Sequence, residues 1–322
     1  MLRCPTSGLP LSYIGNSING ETNNAEGTLV SEDGKYSYPV INGIPRFVDN
    51  SNYAENFGKQ WNLFKKTQLD SHSGHPISAN RFWNATGWEP AEIRGKWVLD
   101  IGCGAGRFAE IALEAGARVI ALDYSNAVDA CKENLSKFSE LYPVQGDIYS
   151  LPLVPEAFSH VYSLGVLQHT PQVESAFKSL PPLLIPGGKL CTDYYWKRFR
   201  TMLHAKYLVR PVTKRMDNEK LLKRLQKWAP VMLAISRGLG KVPLLGVVLK
   251  RLVPVADYTG RYPLSEKQLR EWALLDTFDM LAPEFDNPQS MRTVTRWFRT
   301  NGFSNIEVFQ EGHLVGRGIR QT

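Results

Sequence analysis

No two of the four cysteines in the 322-residue sequence form a close pair; Cys4, Cys103, Cys131 and Cys191 stand singly. Without a C-x-x-C pair, neither a structural zinc site nor a disulfide framework is expected, and a reducing cytosol suits the chain. Long apolar runs are missing too. The most apolar stretches, 231–235 and 243–255, are short or carry Lys250 and Arg251, so none has the roughly eighteen residues needed to span a bilayer. The opening MLRCPTSGLP lacks the apolar core of a signal peptide. Together these absences predict a soluble, cytoplasmic globular protein. The composition, 43% hydrophobic with 11% aromatics, 26 Gly and 20 Pro, excludes a disordered chain or a fibrous repeat.

Acidic residues are scarce in one segment in particular. Between Lys197 and Arg251 stand fifteen basic residues against only Asp217 and Glu219, a local charge of +13. The whole chain carries +7, which leaves a mildly acidic body of −6. Such an asymmetry predicts an anionic partner for the basic segment.

The pattern along the chain predicts five parts. Residues 1–50 read as a small β-rich module of short apolar pieces and Gly/Asn turns. Residues 51–96 read as a helical lid or linker, in which a helix over 54–66 would carry Phe57, Trp61 and Phe64 on one face, near Tyr53. From 97 to 195 apolar strands alternate with helical stretches, the signature of a parallel sheet; strands are expected at 97–101, 118–122, 142–144, 160–164 and 189–192. Residues 196–262 read as a basic helical insertion. Residues 263–322 complete the core with a helix over 291–301 and strands at 306–310 and 313–319.

The strongest chemical signal is VLDIGCGAGRFAEIALEAGARVIALDYS, residues 98–125. An apolar strand ends in Asp100, Gly102-x-Gly104-x-Gly106 turns the chain into a helix, and a second strand ends in Asp123. Glycines suit such a turn because it needs unusual backbone angles and a ligand must approach the main chain closely. An acid at this spacing can accept hydrogen bonds from both hydroxyls of a ribose. The glycine spacing differs from the dinucleotide pattern G-x-G-x-x-G, and a carboxylate before the loop would repel a pyrophosphate but attract a sulfonium or ammonium.

This segment resembles the first motif of class I S-adenosylmethionine-dependent methyltransferases, of the type 11-like kind. Gln145-Gly146-Asp147-Ile148 with Leu151-Pro152 is similar to the family's third motif, FSHVYSLGVLQHT to its strand four and loop, and Ile185-Pro186-Gly187-Gly188 to the turn entering strand five. The resemblance implies an α/β fold, a Rossmann-like doubly wound seven-stranded sheet with a β-rich N-terminal module and a helical insertion after strand five. It implies S-adenosyl-L-methionine as cofactor, held by Asp100, Gly102, Cys103, Gly104, Gly106, Asp123, Tyr124, Asp147, Ile148 and Leu164, and a helix before strand one covering it. The N-terminus, through Leu2-Arg3-Cys4-Pro5 and the stretch around Tyr38 and Pro45, resembles a zinc-ribbon module in degenerate form. Ser7 stands where a second cysteine belongs, so no structural zinc is expected.

For catalysis the expected residue is His169, in the loop after strand four, where the doubly wound architecture places ligands. Its near-neutral chemistry suits a general base, although it can equally cap the following helix. Asp193, Tyr194 and Tyr195 are further candidates. His72 and His75 fall in a Gly/Pro loop with no metal-ligand spacing, and no catalytic metal is expected. In the basic segment, Asp217 can cap a helix with an apolar stripe of Leu221, Leu222, Leu225 and Trp228, flanked by Lys220, Lys223, Arg224 and Lys227. Pro243 can open a second helix carrying Leu244, Leu245, Val247, Val248 and Leu252. Basic charge with large apolar residues fits a helix lying on an anionic membrane; a helical cap on the core and a nucleic-acid surface are the competing readings.

The expectation is therefore a methyltransferase acting on a small or lipid-linked acceptor, cytoplasmic and peripheral at the inner face of the membrane. The alternatives are a tRNA- or ribosome-directed methyltransferase and a non-catalytic, cofactor-binding scaffold.

Overall fold

The computed structural model describes residues 1–16, 26–49, 58, 61–198 and 204–321. Four short strands, β1 (Leu11–Asn16), β2 (Glu26–Ser31), β3 (Ser37–Ile41) and β4 (Ile44–Pro45), form an antiparallel N-terminal sheet in sequence order. The central sheet has seven strands: β5 (Trp97–Ile101), β6 (Arg118–Asp123), β7 (Leu141–Gln145), β8 (Phe158–Ser163), β9 (Leu184–Tyr194), β10 (Phe303–Glu311) and β11 (His313–Arg320). Their order is β10-β11-β9-β8-β5-β6-β7. The run from β7 to β9 is parallel, while β11 lies antiparallel between β9 and β10. Reversal of the strand order around β5 opens a crevice at the carboxyl ends of the parallel strands, which is where ligands bind in this architecture.

Helices cover both faces. Among the described residues the longer ones are α1 (Ile77–Thr86), α2 (Arg107–Glu114), α3 (Ala127–Asn134), α4 (Val173–Lys178), α5 (Lys206–Thr213), α6 (Asn218–Gly240), α7 (Glu266–Leu281) and α8 (Met291–Thr300). A near-continuous apolar run makes β5 and β6 buried throughout except at their first residues, as a sheet covered on both faces requires. One core layer packs α1 and α2 on the sheet through Phe82, Trp88, Phe108 and Tyr162. The other packs α4 and α8 through Phe177, Trp297, Phe298 and Phe303.

The N-terminal sheet docks on the free edge of β7. The Phe47 amide donates to the Gln145 carbonyl at 2.9 Å, and Arg46 bonds Gln145 at 3.0 Å and the Asp129 carboxylate at 2.6 Å. In the N-terminal loop, the buried Cys4 thiol accepts from the Ser7 amide at 3.4 Å and lies 3.3 Å from the Tyr38 hydroxyl. Burial pushes this thiol up, but the Ser7 and Tyr38 contacts outweigh it and bring it down to about 7. Among the described residues no group of three His, Cys, Asp or Glu could hold a metal.

Two expectations for the basic segment are corrected. The buried stripe of α6 runs Leu221, Leu225, Ala229, Leu233 and Ser236, at three steps of four and a last step of three that keep one helical face toward α7. Leu221 and Leu225 pack there on Phe278, Leu281 and Ala282. Trp228 falls off that stripe and is exposed. Nor does a helix open at Pro243: Leu244 adopts a left-handed φ of 62°, and only Gly246–Leu249 is helical. The chain doubles back so tightly that a Cβ on Gly246 would lie 2.5 Å from the Gly240 carbonyl oxygen. Among the described residues, no helix is long and apolar enough to cross a membrane. Tyr53 and Phe57 lie outside the described residues.

Candidate active site

A cleft of about 910 Å³ opens at the carboxyl ends of β5, β6, β8 and β9. Its floor is the glycine turn. Gly102, Gly104 and Gly106 all take left-handed backbone angles, with φ of 77°, 51° and 92°, which only glycine adopts without strain. Space also forbids a side chain at the first of them: a Cβ on Gly102 would meet Val166 at 2.4 Å. At Gly104 the neighbour is the Trp61 indole, 3.2 Å from where a Cβ would stand.

Asp123 ends β6 on the cleft wall. Its Oδ1 accepts from the Ser125 amide at 2.8 Å and hydroxyl at 2.7 Å, and its Oδ2 accepts from the Gly104 amide at 2.9 Å. Burial raises its carboxyl above the ordinary value, opposed by these Ser125 and Gly104 bonds. Lone pairs remain on a carboxylate so bonded, and it is held rigidly against the loop. Cys103, Tyr124, Ile148 and Leu164 also line the cleft.

Three of the expected cofactor residues are placed otherwise. Gly106 does not line the cleft; it turns the chain into α2 and abuts Leu135. Asp147 is not on the wall, although Gly146 and Ile148 beside it are; its Oδ1 accepts from the Tyr149 amide at 2.9 Å and shapes the local turn. Asp100 is the clearest correction. It points into the buried core, with Tyr162 of β8 as its neighbour, and burial pushes its carboxyl up to about 8. A carboxyl held in its neutral form around pH 7 is not the anion that would attract a sulfonium.

Opposite the loop the cleft has a second wall of ionisable side chains. His169 is buried at the end of a short 3₁₀ turn, Leu167–His169, and lines the cleft. Its Nδ1 lies 3.0 Å from the Phe285 carbonyl oxygen. A carbonyl can only accept, so Nδ1 carries a proton and donates it to Phe285. Tyr195 packs edge-on against the His169 ring at 5.4 Å and stacks on His313 at 5.5 Å. Tyr194, one residue earlier, points to the other side of the sheet and is buried against Trp297. Asp193 is buried as an ion pair with Arg81 at 2.7 Å. Against the upward push of burial, the Arg81 guanidinium holds that carboxyl below its ordinary value. The same Arg81 and burial push His313 down to about 4, so it is neutral at pH 7.

A third group closes the cleft from α7 and the loop before it. Asp276 accepts from Gln68 Nε2 at 2.8 Å and from the Tyr258 hydroxyl, and burial raises it to about 6. Gln68 in turn accepts from Arg107 at 2.8 Å. Asp193 was a candidate from its place after strand five, but neither pairing was visible in the motifs, because Arg81 and Asp193 stand 112 positions apart and Gln68 and Asp276 stand 208 apart. His72 and His75 do not line the cleft.

Residues 99–192 match the family model described as "Methyltransferase domain", and this part of the chain is a class I S-adenosylmethionine-dependent methyltransferase domain. A ubiquinone biosynthesis O-methyltransferase of Coxiella burnetii is 30% identical over 116 residues, 35% of this chain and 49% of that protein. A sterol 24-C-methyltransferase of Pneumocystis carinii is 30% identical over 107 residues, 32% of this chain and 28% of that protein. The chain thus spans about half the length, or less, of these relatives. Among solved structures, a putative S-adenosyl-L-methionine-dependent methyltransferase of Methanococcus maripaludis is similar at 15% identity and a TM-score of 0.46, covering 85% of this chain and 96% of that one.

Proposed function

We propose that the protein transfers a methyl group from S-adenosylmethionine to a small or lipid-linked acceptor. The observation that carries this reading is the continuity of one cleft from the glycine turn and Asp123 to His169 and Tyr195. Its residues fit the cofactor: a left-handed glycine cradle that leaves room for a ligand's approach, an acid whose free lone pairs face the cleft for the ribose, and the Trp61 indole above the loop. S-adenosylmethionine supplies an electrophilic methyl group on a sulfonium. The protein's own part is to hold the two reactants in line and to exclude water, which is the main lever for such a displacement. Nε2 of His169 is positioned to take a proton from a hydroxyl acceptor, with Nδ1 anchored on Phe285 and the ring plane fixed by Tyr195.

We place the enzyme on the cytoplasmic, anionic face of a membrane. In support, the basic segment leaves Leu208, Trp228, Leu244, Val247 and Leu252 exposed beside its lysines and arginines, a combination suited to an anionic lipid surface. Incubating the protein and a cell extract with methyl-labelled S-adenosylmethionine, then separating lipid, small-molecule and RNA fractions, tests the reading. Label in lipid or small molecules is the expected result. Label in RNA alone would replace it with the nucleic-acid alternative, and protein that binds the cofactor without labelling any fraction would be a scaffold.

A further inference from the structure

The basic segment does more than cover the cleft; it supplies one side of its mouth. Residues 196–262 contribute Arg198, His204, Lys206, Arg251 and Arg261 to the lining, and no carboxylate. The acids on the facing side are otherwise engaged. Asp276 bonds Gln68 and Tyr258, Asp279 accepts from the Tyr195 hydroxyl at 3.4 Å, and Asp286, behind the wall, pairs with Lys206 at 2.8 Å. Glu311, the last residue of β10, is the remaining acid on the rim. Arg261 is exposed at that mouth, 3.7 Å from the space above Gly312.

Apolar surface begins where this cationic edge ends. Lys206 starts α5, and Leu208 and Val212 of the same helix are 83% and 65% exposed. Arg251 is followed directly by Leu252, 63% exposed, with Val247 and Val248 one turn earlier. The two pieces are stitched together, since the Ala205 amide donates to the Arg251 carbonyl at 2.9 Å. A cationic lip and an exposed apolar surface therefore share one seam, and the seam opens into the cleft that holds His169.

We infer that the acceptor is an anionic amphiphile, with its phosphate or carboxylate head on the arginine lip of Arg198, Arg251 and Arg261 and its hydrocarbon chain along the apolar surface of α5 and residues 247–252. This deepens the methyltransferase reading and rests on it for the word acceptor, but the binding itself can be tested apart from it. The charge chooses the head and the exposed leucines and valines choose the tail; neither alone selects the molecule.

Dodecyl phosphate below its micelle concentration is the probe, compared by calorimetry with inorganic phosphate and with uncharged dodecyl maltoside. Dodecyl phosphate should bind about tenfold or more tighter than either, since a charge-assisted bond and a buried chain each contribute at least that factor. Arg251→Gln with Arg261→Gln should remove most of the preference over maltoside, and Leu208→Ser with Leu252→Ser most of the preference over phosphate. S-adenosylmethionine affinity, measured on every variant, should stay unchanged and reports the fold. If the double arginine variant loses it, the single Arg261→Gln at the exposed mouth carries the test. Equal binding of phosphate and dodecyl phosphate, or of maltoside and dodecyl phosphate, overturns the inference, as does indifference to the arginine changes. A protein that takes dodecyl phosphate as expected but never binds S-adenosylmethionine keeps the amphiphile site and loses the methyltransferase reading.

Discussion

At the scale of single residues, three side chains give separable tests: Asp123, His169 and Asp100. Asp123 faces the cleft with its orientation fixed by three hydrogen bonds. Replacing it with Ala should cost roughly 1.5–3 kcal/mol of cofactor binding, the worth of hydrogen bonds to a charged acceptor; calorimetry with equal affinities for both proteins would refute the assignment. His169→Gln keeps a side chain near Phe285 but cannot take up a proton. It should lower the turnover number by about 10²- to 10⁴-fold while the S-adenosylmethionine affinity stays level, and a variant with full turnover would reduce His169 to a cap of its turn. Asp100 behaves differently. Its folded-state value near 8 lies above the ordinary 3.8, so unfolding releases a proton between those limits and stability falls as pH rises through about 4 to 8. Asp100→Asn removes that dependence. The melting temperature of the variant relative to the natural protein should climb between pH 5 and pH 8, and a constant difference would mean that the carboxyl is ionised in the folded state.

At the scale of elements, α6 separates packing from surface. Leu225 is buried against Phe278 and Leu281 of α7, and Leu225→Ala should cost about 2–4 kcal/mol of stability from the cavity it leaves. Trp228, half exposed on the same helix, should cost little in stability when changed to Ala; chemical denaturation of both variants checks the contrast. Reading the sequence placed all the leucines and the tryptophan on one stripe, because spacings of three and four are both compatible with a single face. Only the position of α7 selects the row that is buried. The same limit applies elsewhere. Strand, glycine turn, helix and Asp123 were legible since they lie within 28 consecutive residues, whose periodicity and turn chemistry are local. The second wall was legible only in part. His169, Asp193 and Tyr195 stood out after strands four and five, but Arg81, His313 and Asp276 are brought to the cleft by the tertiary fold, and no spacing rule connects residues that topology alone makes neighbours. Asp100 was misjudged for a related reason: the motif fixes its place in the chain, whereas its protonation depends on how deeply β8 buries it.

At the scale of the whole molecule, the +13 segment and the mildly acidic body predict an orientation on charged surfaces. Lys220, Lys223, Arg224 and Lys227 are all exposed on α6, each contributing on the order of 1 kcal/mol near an anionic membrane. Changing the four to Glu should abolish co-sedimentation with phosphatidylserine vesicles at low salt and leave cofactor affinity unaltered; natural protein that ignores such vesicles would sink the membrane placement. The position of β11 has a consequence of another kind, in time rather than in space. It pairs Tyr194 with Leu314, 120 positions later in the chain, and β9 has no other neighbour on that side. During synthesis the parallel strands are complete well over a hundred residues before β9 gains its partner. At about 5–20 residues per second the ribosome leaves that edge open for on the order of ten seconds. An unpaired β9 edge invites pairing with other chains through that interval, so yield of soluble protein should depend on how quickly the stretch of message between β9 and β11 is read.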